Sequence, residues 1–433
     1  MAPDVDGDLG CDVLIIGAGI QGLYLANALV RDGYVVCLVT DPNSPLETTD
    51  ADGYFSAGYD GNDVARIQPA RRAAGFWRLW AESHQVTVDP QPPLAAVPVG
   101  EVPTRTRLWL DATLNMAETS APDILAGGTL RGQQFYTLAN DVVLSPTQVL
   151  ARLRDGLAER HMWGEVVQFG LVGDTAIDYV NVDIGDRNIV PIVPRYTVLA
   201  ANAGNAALLN LLASRFRDQH RRLEAKEAVK NSQAVRRELR VLVRGNLPAL
   251  DGQFGSLTIA SHAMGTPGDR VWVVSVPAAD DQTVMGIDDI RFEPQARPGA
   301  VAAVVAELFA MAPDLRAEAA SVTWASFVAR HSQHPMAASS GPEIGRPVPA
   351  KIETLGLEGF LALWPSHLSY AMVLGDVAHE RITTALGSPG SYTEGPQPFH
   401  FPEPSPESLI ARWDQDGFAW LPWGEFAPLH GIA

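Results

Sequence analysis

Three glycines, in the run Gly17-Ala18-Gly19-Ile20-Gln21-Gly22, are spaced for chemistry that needs close approach of the backbone to an anion. The first permits a tight turn, the second lets backbone reach a pyrophosphate, and the third lets a helix pack on a strand. A dinucleotide's pyrophosphate would then rest on the helix N-terminus, where free N–H groups and the helix dipole favour negative charge. An acidic residue gripping a ribose hydroxyl is expected about 20 residues on, at the end of a second strand. The count puts Thr40 there, with Asp41 one residue later.

Other reactive residues carry weaker signals. His331 and His334 are three apart, a spacing that could bind a metal on a helix, but Pro335 follows and no third ligand is clustered with them. No metal is expected. The only cysteines, Cys11 and Cys37, exclude a disulfide framework and read as small buried hydrophobes. Lysine is scarce: Lys226, Lys230 and Lys351 are the only three.

The elements that must position the glycine turn are legible on either side of it. Val13 to Ile16 reads as a buried parallel strand, Leu23 to Val30 has helical character, and Tyr34 to Val39 is a second apolar run. Alternation at Thr106–Thr113, Leu239–Arg244, Arg270–Pro277 and Thr283–Ile287 predicts further strands, and Ala302–Met311 a helix. Basic residues gather between Arg215 and Arg244, among them Arg221, Arg222, Lys226, Lys230, Arg236 and Arg237. They read as a solvated helix with i,i+4 pairs, or as a docking surface for an anionic partner.

At 433 residues and 46% apolar composition, the chain has material for two domains or one large composite. The 50 acidic against 32 basic residues give a formal charge of −18, which repels polyanions and argues against nucleic acid. The acidic N-terminus lacks signal-peptide character, and no apolar run approaches a membrane span. A soluble, cytoplasmic protein without a membrane partner is expected.

With these segments in view, the chain resembles FAD-dependent oxidoreductases of the D-amino acid oxidase, glycine oxidase and sarcosine oxidase superfamily, over roughly residues 10 to 385. The resemblance rests on the glycine turn and on four later stretches. These are Gly53–Tyr59 with Arg66-Ile-Gln-Pro69, Asn140–Pro146, Tyr196–Gly204, and Trp324–Arg330 followed by Gly359–Tyr370. It implies an α/β fold in which a Rossmann-type FAD-binding domain is interleaved with an α+β substrate domain on a mainly antiparallel sheet. The FAD domain would comprise residues 10–90, 140–215 and 320–387, the substrate domain 91–139 and 216–319, and a Pro-rich C-terminal arm 388–433.

The resemblance further implies cofactor contacts from Gly17, Ala18, Gly19, Ile20, Gln21, Gly22, Thr40, Asp41, Ala203, Gly204, Ser366, His367 and Leu368. Catalytic candidates are Arg66, Arg330, His331, His367 and Tyr59, with His334 and Tyr370 as further candidates. Tyr59 stands where some relatives attach flavin through a histidine, and neither cysteine is placed for attachment, so FAD is expected to be held non-covalently. Pro69 stands where sarcosine oxidase-like relatives carry a second carboxylate-binding arginine. Gln282–Ile287 lacks the lysine that such relatives use to activate oxygen.

The implied activity is oxidation of a C–N bond of an amine or amino-acid-like substrate to an imine, with O2 as acceptor. A larger, specialised substrate, of the kind met in secondary metabolism, is what the missing arginine implies. The alternatives are an FAD-dependent dehydrogenase acting on a C–O or C–C bond and a non-catalytic nucleotide-binding protein.

Overall fold

The first long strand, Leu9–Ile16, hydrogen-bonds in parallel on both sides, to Val36–Thr40 and to Ile189–Leu199. Val13, Leu14 and Ile15 are fully buried, as a parallel strand covered on both faces requires. The computed structural model describes residues 9–42, 47–56, 64–89, 91–97, 116–186, 188–230, 234–277, 297–333, 350–365, 368–390 and 410–432.

They fall into two compact units. One is drawn from residues 1–49, 149–235 and 331–410, the other from 50–148, 236–330 and 411–433. In the first, the sheet runs Ala350–Glu353, Phe360–Pro365, Ile189–Leu199, Leu9–Ile16, Val36–Thr40, His161–Trp163. Ala176–Asp183 also pairs with Ile189–Leu199, and Glu165–Val172 pairs with it in turn. Leu9–Ile16 is parallel to Val36–Thr40 and to Ile189–Leu199, and Ile189–Leu199 to Phe360–Pro365, which is the doubly wound arrangement.

Helix Ile20–Arg31 packs beside helix Ala371–Leu386. The two approach closely at Gly375, where a Cβ would stand 2.5 Å from the Tyr24 ring. Leu209, Leu212 and Ala213 of helix Gly204–Ala213 join Leu14, Val39 and Trp364 in one core. Both cysteines are buried there with no disulfide between them, and burial pushes the Cys37 thiol up to about 12. Buried Asp12 accepts from Arg195 at 2.7 Å and from the Val35 N–H at 2.9 Å, so this carboxylate is compensated.

The second unit is built on a mainly antiparallel sheet whose order at one side runs Leu421–Pro422, Thr323–Gln333, Ala234–Asn246, Asp269–Pro277, Leu257–Ala263. Alternation decides its faces. Leu239, Val241 and Val243 join Trp272 and the Val301, Val305 and Leu308 stripe of helix Pro298–Met311, while Leu242, Val271 and Val273 face Trp413. Thr106–Thr113 and Thr283–Ile287 lie outside the described residues.

Arg240 shares the Leu242 side of its strand and is 1% exposed, held by Asp52 and Glu238 at 2.7 Å each. Near the C-terminus, Leu421–Pro422 pairs with Thr323 and Trp324, Phe426 stacks on the Trp324 ring and Trp423 packs against it at a tilt. Trp324→Ala is expected to cost about 3–5 kcal/mol by leaving a large core cavity. Leu79→Ala, at a position 66% exposed, should change stability by less than about 0.5 kcal/mol. Denaturant titration of both variants checks the pair.

Candidate dinucleotide-binding site

Strand, turn and helix follow one another directly: Leu9–Ile16, then Gly17 to Gly19, then Ile20–Arg31. Gly17 adopts φ +115°, and a Cβ there would lie 2.5 Å from the Ala200 carbonyl oxygen. A Cβ on Gly22 would lie 1.8 Å from the Gly17 carbonyl oxygen. Both positions therefore exclude side chains for steric reasons. The Gly17 N–H donates to the Val39 carbonyl at 2.7 Å, and the Ala200 N–H to the Ile16 carbonyl at 2.8 Å, so the turn is fixed at the ends of three neighbouring strands.

Gly19 is the N-cap of the helix and has no side chain to cap it. Thr48 supplies the missing acceptor, its hydroxyl taking the Ile20 N–H at 3.1 Å. The remaining first-turn N–H groups have no carbonyl within the helix to bond, which leaves an anion-binding terminus.

A second turn meets the first. Asn202 sits at φ +48°. Asn205, fully buried, accepts from the Ala201 N–H at 2.9 Å and donates to the Leu363 carbonyl at 2.8 Å. Glu47 accepts from the Ala203 N–H at 2.9 Å. These bonds hold residues 200 to 204 against Gly17 and tie them to strand Phe360–Pro365. Three buried side-chain atoms in this neighbourhood lack partners: both polar atoms of the Gln21 amide, and Asn202 Oδ1.

Thr40 ends its strand and is buried, with its hydroxyl 2.9 Å from His161 Nε2. Burial, reinforced by the charge of Arg154, pushes the His161 pKa down to about 3, so the ring is neutral at neutral pH. Asp41 follows the strand and is half-buried.

The described residues thus bring together Gly17 to Gly22, Ala203 and Gly204, with Thr40 and Asp41 at the end of the adjoining strand. Leu368 opens a short turn to Tyr370, the half-buried N-cap of helix Ala371–Leu386. Tyr59, His334, Ser366 and His367 lie outside the described residues. Arg66 falls in helix Val64–Ser83 and His331 in strand Thr323–Gln333, but their side chains are not described. Arg330, in the same strand, is half-buried. Thr48, Glu47, Asn205 and His161 were not picked out by sequence reasoning. The polar run Glu47-Thr-Thr-Asp50 after the second strand is the one local signal that points to two of them.

The basic segment is partly structural. Arg221 donates to the carbonyls of Asp174, Leu355 and Gly356, and Arg222 to that of Phe216. Segment Gln282–Ile287 lies outside the described residues. No described helix is long and apolar enough to cross a membrane.

No protein-family model matches the sequence, and no curated protein does. Among solved structures, the chain is similar to an FAD-dependent oxidoreductase from Pseudomonas aeruginosa, with 20% identity and a TM-score of 0.62 over 89% of this chain and 94% of that one. It is also similar to glycine oxidase from Geobacillus kaustophilus, with 14% identity and a TM-score of 0.59 over 91% of this chain and 98% of that one. L-proline dehydrogenase from P. horikoshii matches with 14% identity and a TM-score of 0.60, over 91% and 98%. The chain has the fold of these oxidoreductases. At such identities the likeness fixes the architecture, and the chemistry must be argued from the residues.

Two outcomes check the site's construction. Gly17→Ala combines left-handed strain with a backbone clash and should cost about 2–5 kcal/mol. Gly173→Ala, at φ +58° with nothing within 4 Å, should cost only about 1–2 kcal/mol. Because the folded pKa of His161, about 3, lies below its unfolded value of about 6.5, its contribution is complete above pH 6.5 and fades as pH falls toward 3. Equilibrium unfolding across that range should show the advantage of wild type over His161→Gln shrinking with acidity.

Proposed function

We propose that the chain is an FAD-dependent oxidoreductase that oxidises a C–N bond of an amine or amino-acid-like substrate to an imine, with O2 as acceptor. The observation that carries this reading is the Gly17 turn. It is pressed against Ala200 at a helix N-terminus, in a fold shared with an FAD-dependent oxidoreductase, a glycine oxidase and a proline dehydrogenase.

The residues present fit the cofactor. Gly17 and Gly22 let the turn close on Ala200 and on the helix, Gly19 puts no side chain at the helix N-terminus, and the orphaned buried atoms of Gln21 and Asn202 are of the kind a polar ligand satisfies. Gly17 to Gly22 would hold the pyrophosphate, Thr40 or Asp41 the adenosine ribose, and Ala203, Gly204 and the 366–368 segment the rest of the dinucleotide. FAD is held without a covalent bond, since Cys11 and Cys37 are both buried.

When bound, FAD supplies the hydride acceptor. The chain's own residues must orient the substrate and favour its neutral amine. Arg66, Arg330, His331, His367 and Tyr59 are the groups assigned to that work. The small-molecule substrate is larger than glycine or sarcosine, in keeping with Pro69.

A second reading, a dehydrogenase passing electrons to another acceptor, is favoured by one feature: residues 282–287 contain no lysine. Anaerobic mixing of the purified protein with a panel of amines, amino acids and hydroxy acids separates the readings. Bleaching of the flavin by an amine, followed by peroxide formation when air is admitted, is expected. Bleaching by hydroxy compounds alone would overturn C–N oxidation, and reoxidation only by an artificial acceptor would replace the oxidase with the dehydrogenase.

A further inference from the structure

Gln21 is the second residue of helix Ile20–Arg31 and is 1% exposed. Both of its amide atoms, Nε2 and Oε1, lack a hydrogen-bond partner. Its companions on the helix, Leu23, Leu25 and Ala26, are fully buried and apolar, so packing alone calls for a leucine or methionine here. An amide buried with both ends unsatisfied is unfavourable in itself.

The place where the amide lies is well defined. Nε2 is 3.4 Å from where a Cβ of Gly375 would stand, so the amide reaches from the first turn of one helix to the backbone of helix Ala371–Leu386. The neighbouring N–H, that of Ile20, is already taken by Thr48. Gln21 therefore presents one donor and one acceptor beside the helix terminus assigned to the pyrophosphate.

The two orphaned atoms narrow the ligand. At neutral pH a pyrophosphate diester only accepts hydrogen bonds, and would leave Oε1 unpaired. A hydroxyl both donates and accepts, so vicinal hydroxyls of a sugar-like chain can satisfy Nε2 and Oε1 together. FAD carries such hydroxyls on both sides of its pyrophosphate, in the ribityl chain and in the adenosine ribose. The adenosine ribose is assigned to the end of strand Val36–Thr40, whereas the amide points to Gly375.

We propose that the Gln21 side-chain amide binds the ribityl hydroxyls of FAD and so distinguishes the flavin half of the cofactor from the adenylate half. This rests on the FAD reading above. It goes beyond that reading by giving a side chain of the glycine turn a binding role of its own.

The test uses the full-length holoprotein. FAD dissociation is followed by recovery of flavin fluorescence on dilution, and ADP binding by competition, since ADP carries the pyrophosphate and adenosine ribose but no ribityl chain. Gln21→Leu should weaken FAD binding about tenfold, as expected for one to two lost hydrogen bonds, and leave ADP affinity unchanged. Thermal unfolding confirms that the variant is folded; if it is not, Gln21→Met, unbranched like glutamine, takes its place. Unchanged FAD affinity would overturn the proposal. So would an equal loss for ADP, which would move the contact to the pyrophosphate or the adenosine ribose. A wild-type protein that binds no FAD would instead remove the functional reading itself.

Discussion

The first of the two units depends on the absence of two Cβ atoms. A Cβ on Gly17 would stand 2.5 Å from the Ala200 carbonyl oxygen, and one on Gly22 would stand 1.8 Å from the carbonyl oxygen of Gly17. With those contacts made, strand Leu9–Ile16, strand Ile189–Leu199 and helix Ile20–Arg31 end at one place. The helix then offers its unpaired N–H groups where the strands stop. Everything argued about a dinucleotide follows from that convergence.

Buried polar groups in the same unit divide into two kinds. Asp12, Asn205, Thr48 and Thr40 have partners, and those partners stitch strands, turns and helices together. The Gln21 amide and the Asn202 side-chain oxygen have none, and neither do Thr197 Oγ1 and His161 Nδ1. The first kind explains the fold and asks nothing of a ligand. Of the second kind, the Gln21 amide and Asn202 Oδ1 lie beside the glycine turn. In the other unit the balance differs: Arg240 is a buried cation answered by Asp52 and Glu238 at 2.7 Å. The two carboxylates compensate the cation there, and losing both would leave its charge buried without a counter-charge.

What the sequence disclosed follows from the range of the interactions. The glycine turn is local, so its spacing could be read directly, and the apolar runs on either side marked the flanking strand and helix. Leu239 to Arg244 and Arg270 to Pro277 betrayed themselves through period-two alternation, which each face of the sheet uses. The caps were hidden because their partners are far apart. Thr48 reaches Ile20 across 28 positions, Thr40 reaches His161 across 121, and Glu47 reaches Ala203 across 156. No periodicity encodes such pairs. The basic stretch near Arg221 looked like a solvated face because composition cannot show that a guanidinium is spent on the carbonyls of Leu355 and Gly356.

The visible absorption spectrum of the purified full-length protein, taken before and after acid precipitation, tests the central claim most directly. A yellow protein with flavin bands, and FAD recovered in the supernatant after precipitation, is the result this account predicts. A colourless protein that FAD does not reconstitute would contradict it, and flavin retained in the pellet would contradict the non-covalent attachment.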